Sequence, residues 1–188
     1  ILAAGRALKP LLKNGVIPDF VVSVDCDPEL LAQYEGVDIP PGVTLLTCMT
    51  GYPPIIERFR GRTVFFSTDV VDGVAAWLND LRLRPDPVKA GGTVAVSALD
   101  LAVHMGFDKI VMCGVDLAFG ADGTSHAEGA VRASGDEAAR REMVEVPGNR
   151  GGMVPTTAQF RIYTGIISAF LRDAAKSRPV EFINTAAG

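Results

Sequence analysis

Short, continuous apolar runs recur along this chain, and they constrain its fold more than any other feature. ILAA at the start, FVVSVD ending at Asp25, TLLTC ending at Cys48, TVFFST ending at Thr68 and KIVMCGVD ending at Asp116 all read as strands, and VEFINT closes the chain as a sixth. Most of these runs do not alternate apolar with polar residues. Strands of that kind are covered on both faces, which is the signature of a largely parallel sheet flanked by helices. The fold class expected is therefore α/β, with a mostly parallel, Rossmann-like sheet and helices on both faces. ILAAG is expected to be an interior strand with a partner on each side, Gly5 turning into a helix that Leu8, Leu11 and Leu12 pack down.

Helical segments fit between the runs. Ala7–Asn14 is stopped by Gly15 and Pro18. A short helix is expected at Pro53–Phe59. Another, from Thr93 to Met105, places Val94, Ala98, Leu101, Ala102 and Met105 on one face, with Gly106 as its C′ glycine. The longest runs from Thr156 to Lys176, carries the stripe Phe160, Tyr163, Ile167, Phe170, Leu171 and Ala174, and takes Thr156 or Thr157 as N-cap. Leu117–Pro155 differs from the rest: rich in glycine, with one weak apolar period over Asp136–Met143, it reads as a long irregular loop and a lid over a site.

With 188 residues, one domain is expected, residues 1–188. Net charge is −4, which argues against a nucleic-acid groove, since that would require a basic stripe. No apolar run is long enough to span a bilayer, and ILAAG lacks the basic residues that precede a signal-peptide core. Cys26, Cys48 and Cys113 show no zinc spacing; Cys113, inside IVMCG, reads as a buried small hydrophobe. This usage suits a reducing cytoplasm.

Candidate site residues gather where strands end, the place at which open α/β sheets bind ligands. Ala90-Gly91-Gly92-Thr93 opens a helix, where free backbone N–H groups and the macrodipole favour an anion; Thr93 and Ser97 add hydroxyls. The plain alternative is an ordinary N-cap with Thr93 as the capping residue, and the turn has no Walker lysine and no GxGxxG pattern. Asp25 ends a strand and is placed to bind a ribose hydroxyl, a cation or an amino group, whereas Asp27, before Pro28, reads as the cap of PELLAQY. Asp116 ends the fifth run and is either a ligand carboxylate or a turn-former. His126, in a polar glycine-rich loop without a packing role, suits general-base work near neutral pH; His104 lies mid-helix and reads as structural or surface. Asn184-Thr185 ends the last strand.

The segments AAGRALKPLLKNGVIPDFVVSVD, GGTVAVSALDLAVHMGFDKIVMCGVDLAF, DGTSHAEG, VPGNRGGMVPTTAQF and FINTAAG together resemble the family that groups motility accessory factors with hydroxymethylpterin diphosphokinase (MptE-like) proteins. Two chemistries follow from that resemblance. Motility accessory factors are implicated in moving nonulosonic acids from a CMP-sugar to Ser/Thr hydroxyls of flagellin. Archaeal members transfer diphosphate from ATP to a pterin alcohol with a divalent cation. In the first, the resemblance implies His126 as general base, Gly91, Gly92, Thr93 and Ser97 as phosphate or carboxylate contacts, and Asp25, Asp116 and Asn184 around ribose or sugar. In the second, Asp25 and Asp116 hold Mg²⁺. A nucleotide-binding module without turnover is the third reading. Family members carry a GxGPSL-type turn after a strand upstream of AAGRALKP, so the chain is expected to be a fragment that lacks this strand and turn. The implied partners are a nucleotide or nucleotide-sugar and flagellin, with neither nucleic acid nor membrane.

Overall fold

A computed structural model describes residues 1–68, 72–82, 87–120 and 143–186, and these group into two compact units, Ile1–Leu101 and the residues from Ala102 onward. In the first, β1 (Leu2–Ala4), β2 (Phe20–Ser23), β3 (Thr44–Cys48) and β4 (Thr63–Phe66) form an all-parallel sheet in the order β1-β2-β3-β4. The register pairs Ala4 with Val22, Ser23 with Thr47 and Cys48 with Phe66. Beyond β4, Thr68 bridges Val88 in the parallel sense.

Alternation along β2 and β3 distributes their side chains to two cores. Val21 and Leu45 pack with Leu8 of α1 (Leu8–Lys13), Tyr34 and Ile55 of α2 (Pro53–Arg58). Val22 and Leu46 pack with Phe66, Val88 and Leu101, joined by Val94 and Ala98; these last three residues belong to α4 (Val94–His104), while α3 (Asp72–Asp80) lies between β4 and Val88 in sequence. This arrangement follows from handedness. Right-handed crossovers that advance in one direction lay their helices on one face, and α4 covers the other.

The expected layout thus stands, with helices on both faces. Among the described residues β1 pairs with β2 alone. Two details differ. β4 leaves Val64 and Phe65 exposed, so it is not covered on both faces. Met105, expected on the apolar face of α4, is exposed as well.

In the second unit, β5 (Lys109–Met112) runs parallel to β8 (Glu181–Asn184), with Met112 opposite Asn184. The long helix α5 (Ala158–Ser177) buries Ile167, Phe170 and Ala174, and Thr157 caps it by accepting from Phe160 N–H at 3.1 Å. Met143–Pro147 (β6) and Met153–Thr157 (β7) form an antiparallel hairpin closed through residues 148–152. This corrects the expectation of an irregular loop over Leu117–Pro155, and Met143 belongs to a strand, not to the end of a helix; residues 121–142 lie outside the described residues. Cys113 is exposed, against its reading as a buried residue, because β5 ends at Met112 and Gly114, with φ +70°, already turns the chain. Among the described residues no helix is long and apolar enough to cross a membrane.

Candidate functional site

Because β1–β4 are parallel, their carboxyl ends share one edge, and the first unit's candidate residues follow it in the chain. Asp25 stands two residues past β2. Its side chain is exposed by area, yet the protein around the carboxyl, together with the charge of Asp27, pushes its pKa above the ordinary carboxylate value. Partial burial disfavours the charged form, and the like charge adds to that. A cation or hydrogen-bond donor arriving at Asp25 would relieve both. Asp27 has the capping role expected: its side chain accepts from Glu29 N–H at 2.9 Å at the start of the 3₁₀ helix Pro28–Gln33. Next along the edge, the buried Cys48 thiol donates to the Val24 carbonyl at 2.7 Å and so ties the exit of β3 to the backbone just before Asp25.

The glycine turn follows the Val88 bridge. Val88 N–H donates to the Ser67 carbonyl at 2.8 Å, which places Lys89 just past the carboxyl edge. Gly92 adopts φ +69°, a left-handed conformation that favours glycine. Thr93 Oγ1 accepts from Ala95 N–H at 3.4 Å, a long version of the N-cap bond. Ser97, expected as a hydroxyl donor to the ligand, is engaged within the protein. It is 1% exposed, and its hydroxyl donates to the Lys89 carbonyl at 3.0 Å. Sequence reading missed its companion Asp100, a carboxylate only 5% exposed that accepts from Lys89 N–H at 2.7 Å. An aspartate inside an apolar helix face, three residues after a serine, is the signal that could have found it.

In the second unit, Asp116 follows β5 in a tight exit that includes Leu117 at φ +51°. Thr156 fixes this exit by donating to the Leu117 carbonyl at 2.6 Å, and Phe119 N–H donates to the Pro155 carbonyl at 2.8 Å. Asn184 ends β8, and its side-chain oxygen accepts from Ala186 N–H at 3.0 Å, while Thr185 donates to the Met112 carbonyl. Asp116 and Asn184 therefore share the second unit, and Asp25, Gly91, Gly92 and Thr93 the first. His126 lies outside the described residues. Among the described residues no group of three or more His, Cys, Asp or Glu side chains is placed to hold a metal ion.

Residues 1–122 match the family described as 6-hydroxymethylpterin diphosphokinase MptE-like. The chain belongs to the MptE-like family. Among solved structures, this MptE-like chain is similar to an MAf glycosyltransferase from Magnetospirillum magneticum AMB-1, with a TM-score of 0.73 and 23% identity over 100% of its length. It spans 28% of the length of that protein. No curated protein matches its sequence.

Proposed function

We propose that this MptE-like chain is the nucleotide-handling part of a glycosyltransferase of the motility accessory factor type, which moves a CMP-activated nonulosonic acid to a Ser/Thr hydroxyl of a protein such as flagellin. The observation that carries this choice is the extent of the structural likeness. The family match ends at residue 122, whereas the likeness to the MAf glycosyltransferase takes in the whole chain, including the β6–β7 hairpin and α5.

In this reading the acceptor oxygen attacks the anomeric carbon of the sugar, and the bond from that carbon to the phosphate of CMP breaks. The hydroxyl proton passes to His126, and CMP leaves as an anion against the backbone N–H groups of Gly91, Gly92 and Thr93. Asp25, Asp116 and Asn184 orient sugar and ribose hydroxyls. Replacing His126 with alanine in an active protein should lower turnover roughly 10²–10⁴-fold, the usual worth of a general base, and leave nucleotide affinity unchanged; wild-type turnover would remove the role.

The description of the family favours a second reading, in which a pterin alcohol attacks the β-phosphorus of ATP and AMP leaves; Asp25 and Asp116 would then be the candidate Mg²⁺ carboxylates of their respective units. Calorimetric titration with CMP, CDP, ATP and GTP, with and without Mg²⁺, separates the two. CMP binding that is indifferent to Mg²⁺ supports the glycosyltransferase. Binding of ATP alone, and only with Mg²⁺, supports the diphosphokinase. Binding of none overturns both.

A further inference from the structure

The Lys89 backbone is held more firmly than a surface turn requires. Its N–H donates to Asp100 at 2.7 Å and its carbonyl accepts from Ser97 at 3.0 Å. Both holding side chains are more than nine-tenths buried and come from successive turns of α4. Removing a carboxylate from water is costly, and here that cost secures the main chain of one exposed lysine. Topology sets Lys89 immediately past the carboxyl edge, since Val88 bridges Thr68 and Lys89 is next. A second observation marks the same spot. Ser67, whose carbonyl accepts from Val88 N–H, has a buried hydroxyl without a hydrogen-bond partner.

Of the other described basic residues of this unit, Arg6 also stands past a carboxyl end, two residues after β1, and is half-buried there. Lys9 donates to the Ala32 carbonyl and Arg58 to the Tyr34 carbonyl. Lys13 ends α1 and Arg62 precedes β4, which puts both at the amino edge. An anion arriving at the carboxyl edge also meets Asp25 and Asp27, whose charges repel it, so a cation fixed at that edge is what the chemistry requires.

We propose that Lys89 binds the anionic group of the nucleotide ligand, with Ser97 and Asp100 as positioning residues that hold its backbone beside the Gly91–Thr93 turn. This rests on the nucleotide reading above. The group bound is either the phosphate or the carboxylate of the sugar, which share anionic oxygens that accept from an ammonium.

The test is calorimetric titration of the chain with CMP, cytidine, CMP-sialic acid and ATP with Mg²⁺. Replacing Lys89 with methionine should weaken binding of an anionic ligand roughly ten- to a hundredfold, the usual worth of a hydrogen bond to a charged group. It should flatten the salt dependence, leave cytidine unaffected, and be largely rescued by Lys89→Arg. Equal losses for CMP and CMP-sialic acid assign the phosphate; a loss confined to CMP-sialic acid assigns the carboxylate. Asp100→Asn, which keeps an oxygen for Lys89 N–H, should retain affinity where Asp100→Ala loses it, with folding of each followed by its melting temperature. If Asp100→Ala melts lower but binds as tightly as wild type, the positioning role is overturned. If wild type binds and Lys89→Met binds equally well with the same salt dependence, the proposal fails and the nucleotide reading stands. If wild type binds none of the ligands, both fail.

Discussion

Two single residues of the first unit show how the carboxyl edge is built, and each has a measurable consequence. The first is Asp25, whose pKa is raised by partial burial and by Asp27. Ionising a group whose folded pKa lies above its unfolded value costs the folded state. That cost is absent below the unfolded pKa, grows as pH rises toward the folded pKa, and stays constant above it. Asp25→Asn should therefore raise the melting temperature near pH 7, and its advantage should shrink to nothing as pH falls through the carboxylate range; an advantage independent of pH would refute the account. The second is Gly5, just past β1. A Cβ there would stand 2.2 Å from the Tyr34 hydroxyl and 3.2 Å from the ring carbon that carries it. Tyr34 is fully buried, and burial pushes its pKa up to about 12, against a smaller opposing pull from the nearby Ser23. Gly5→Ala should cost about 1–3 kcal/mol as an overpacked site. Tyr34→Phe should recover much of that loss in the double variant, because the clashing atom is gone; additive effects in urea unfolding would show that the contact is not the cause. At this scale the sequence told only part. Asp25 was legible because an acid at the end of an apolar run is visible in one dimension. The Tyr34–Gly5 contact joins residues far apart in sequence and no local pattern announces it, whereas the Ser97–Asp100 hold on Lys89 left only the weak sign of an aspartate three residues after a serine in an apolar helix.

The elements were legible where one signal dominated. TLLTC became β3 at the boundaries expected, since a short apolar run between turn residues leaves little choice. α4 ends as Gly106 foretold: with φ +90° it donates to the Val103 carbonyl at 3.0 Å, and Phe107 N–H reaches the Ala102 carbonyl at 3.3 Å, which together make a Schellman motif. Arg178 then donates to the Val103 and Gly106 carbonyls, setting a cation at the negative end of the helix. Gly106→Ala should cost about 1 kcal/mol through its left-handed φ alone, since no atom lies within 4 Å of the added Cβ; chemical denaturation measures it, and a neutral result would mean that the helix end re-forms without the motif. Two elements were not read. α3, between β4 and Val88, went unread. The β6–β7 hairpin was masked by its glycines: Gly148, Gly151 and Gly152 suggested a loop, although MVEVP alternates with a strand period and the glycines only close its turn. Gly148 in particular is required, because a Cβ there would meet Val154 at 2.9 Å.

For the whole molecule, the question is where a nucleotide acts along a chain whose strand-end residues fall into two units. Each unit supplies a parallel pair or sheet with polar residues past its carboxyl ends: Asp25 and the Lys89–Thr93 turn in the first, Asp116 and Asn184 in the second. The charges of these sets differ. The first offers a lysine and a glycine-opened helix start, which suit phosphate; the second offers a carboxylate and an amide, which suit hydroxyl groups. Binding to the folded state alone stabilises it by about 2.7 kcal/mol at a hundredfold excess over Kd, and that energy appears as slowed amide exchange where contacts form. With saturating CMP, protection should therefore appear first at residues 24–27 and 89–95 of the first unit. A CMP-activated sugar should extend it to residues 113–117 and 184–186, because only the sugar brings hydroxyls to Asp116 and Asn184. Hydrogen exchange read by mass spectrometry distinguishes the two steps. Should CMP protect the second set and leave the first unchanged, the phosphate would belong beside Asp116, and the division of labour between the two strand-end sets would be the reverse of the one argued here.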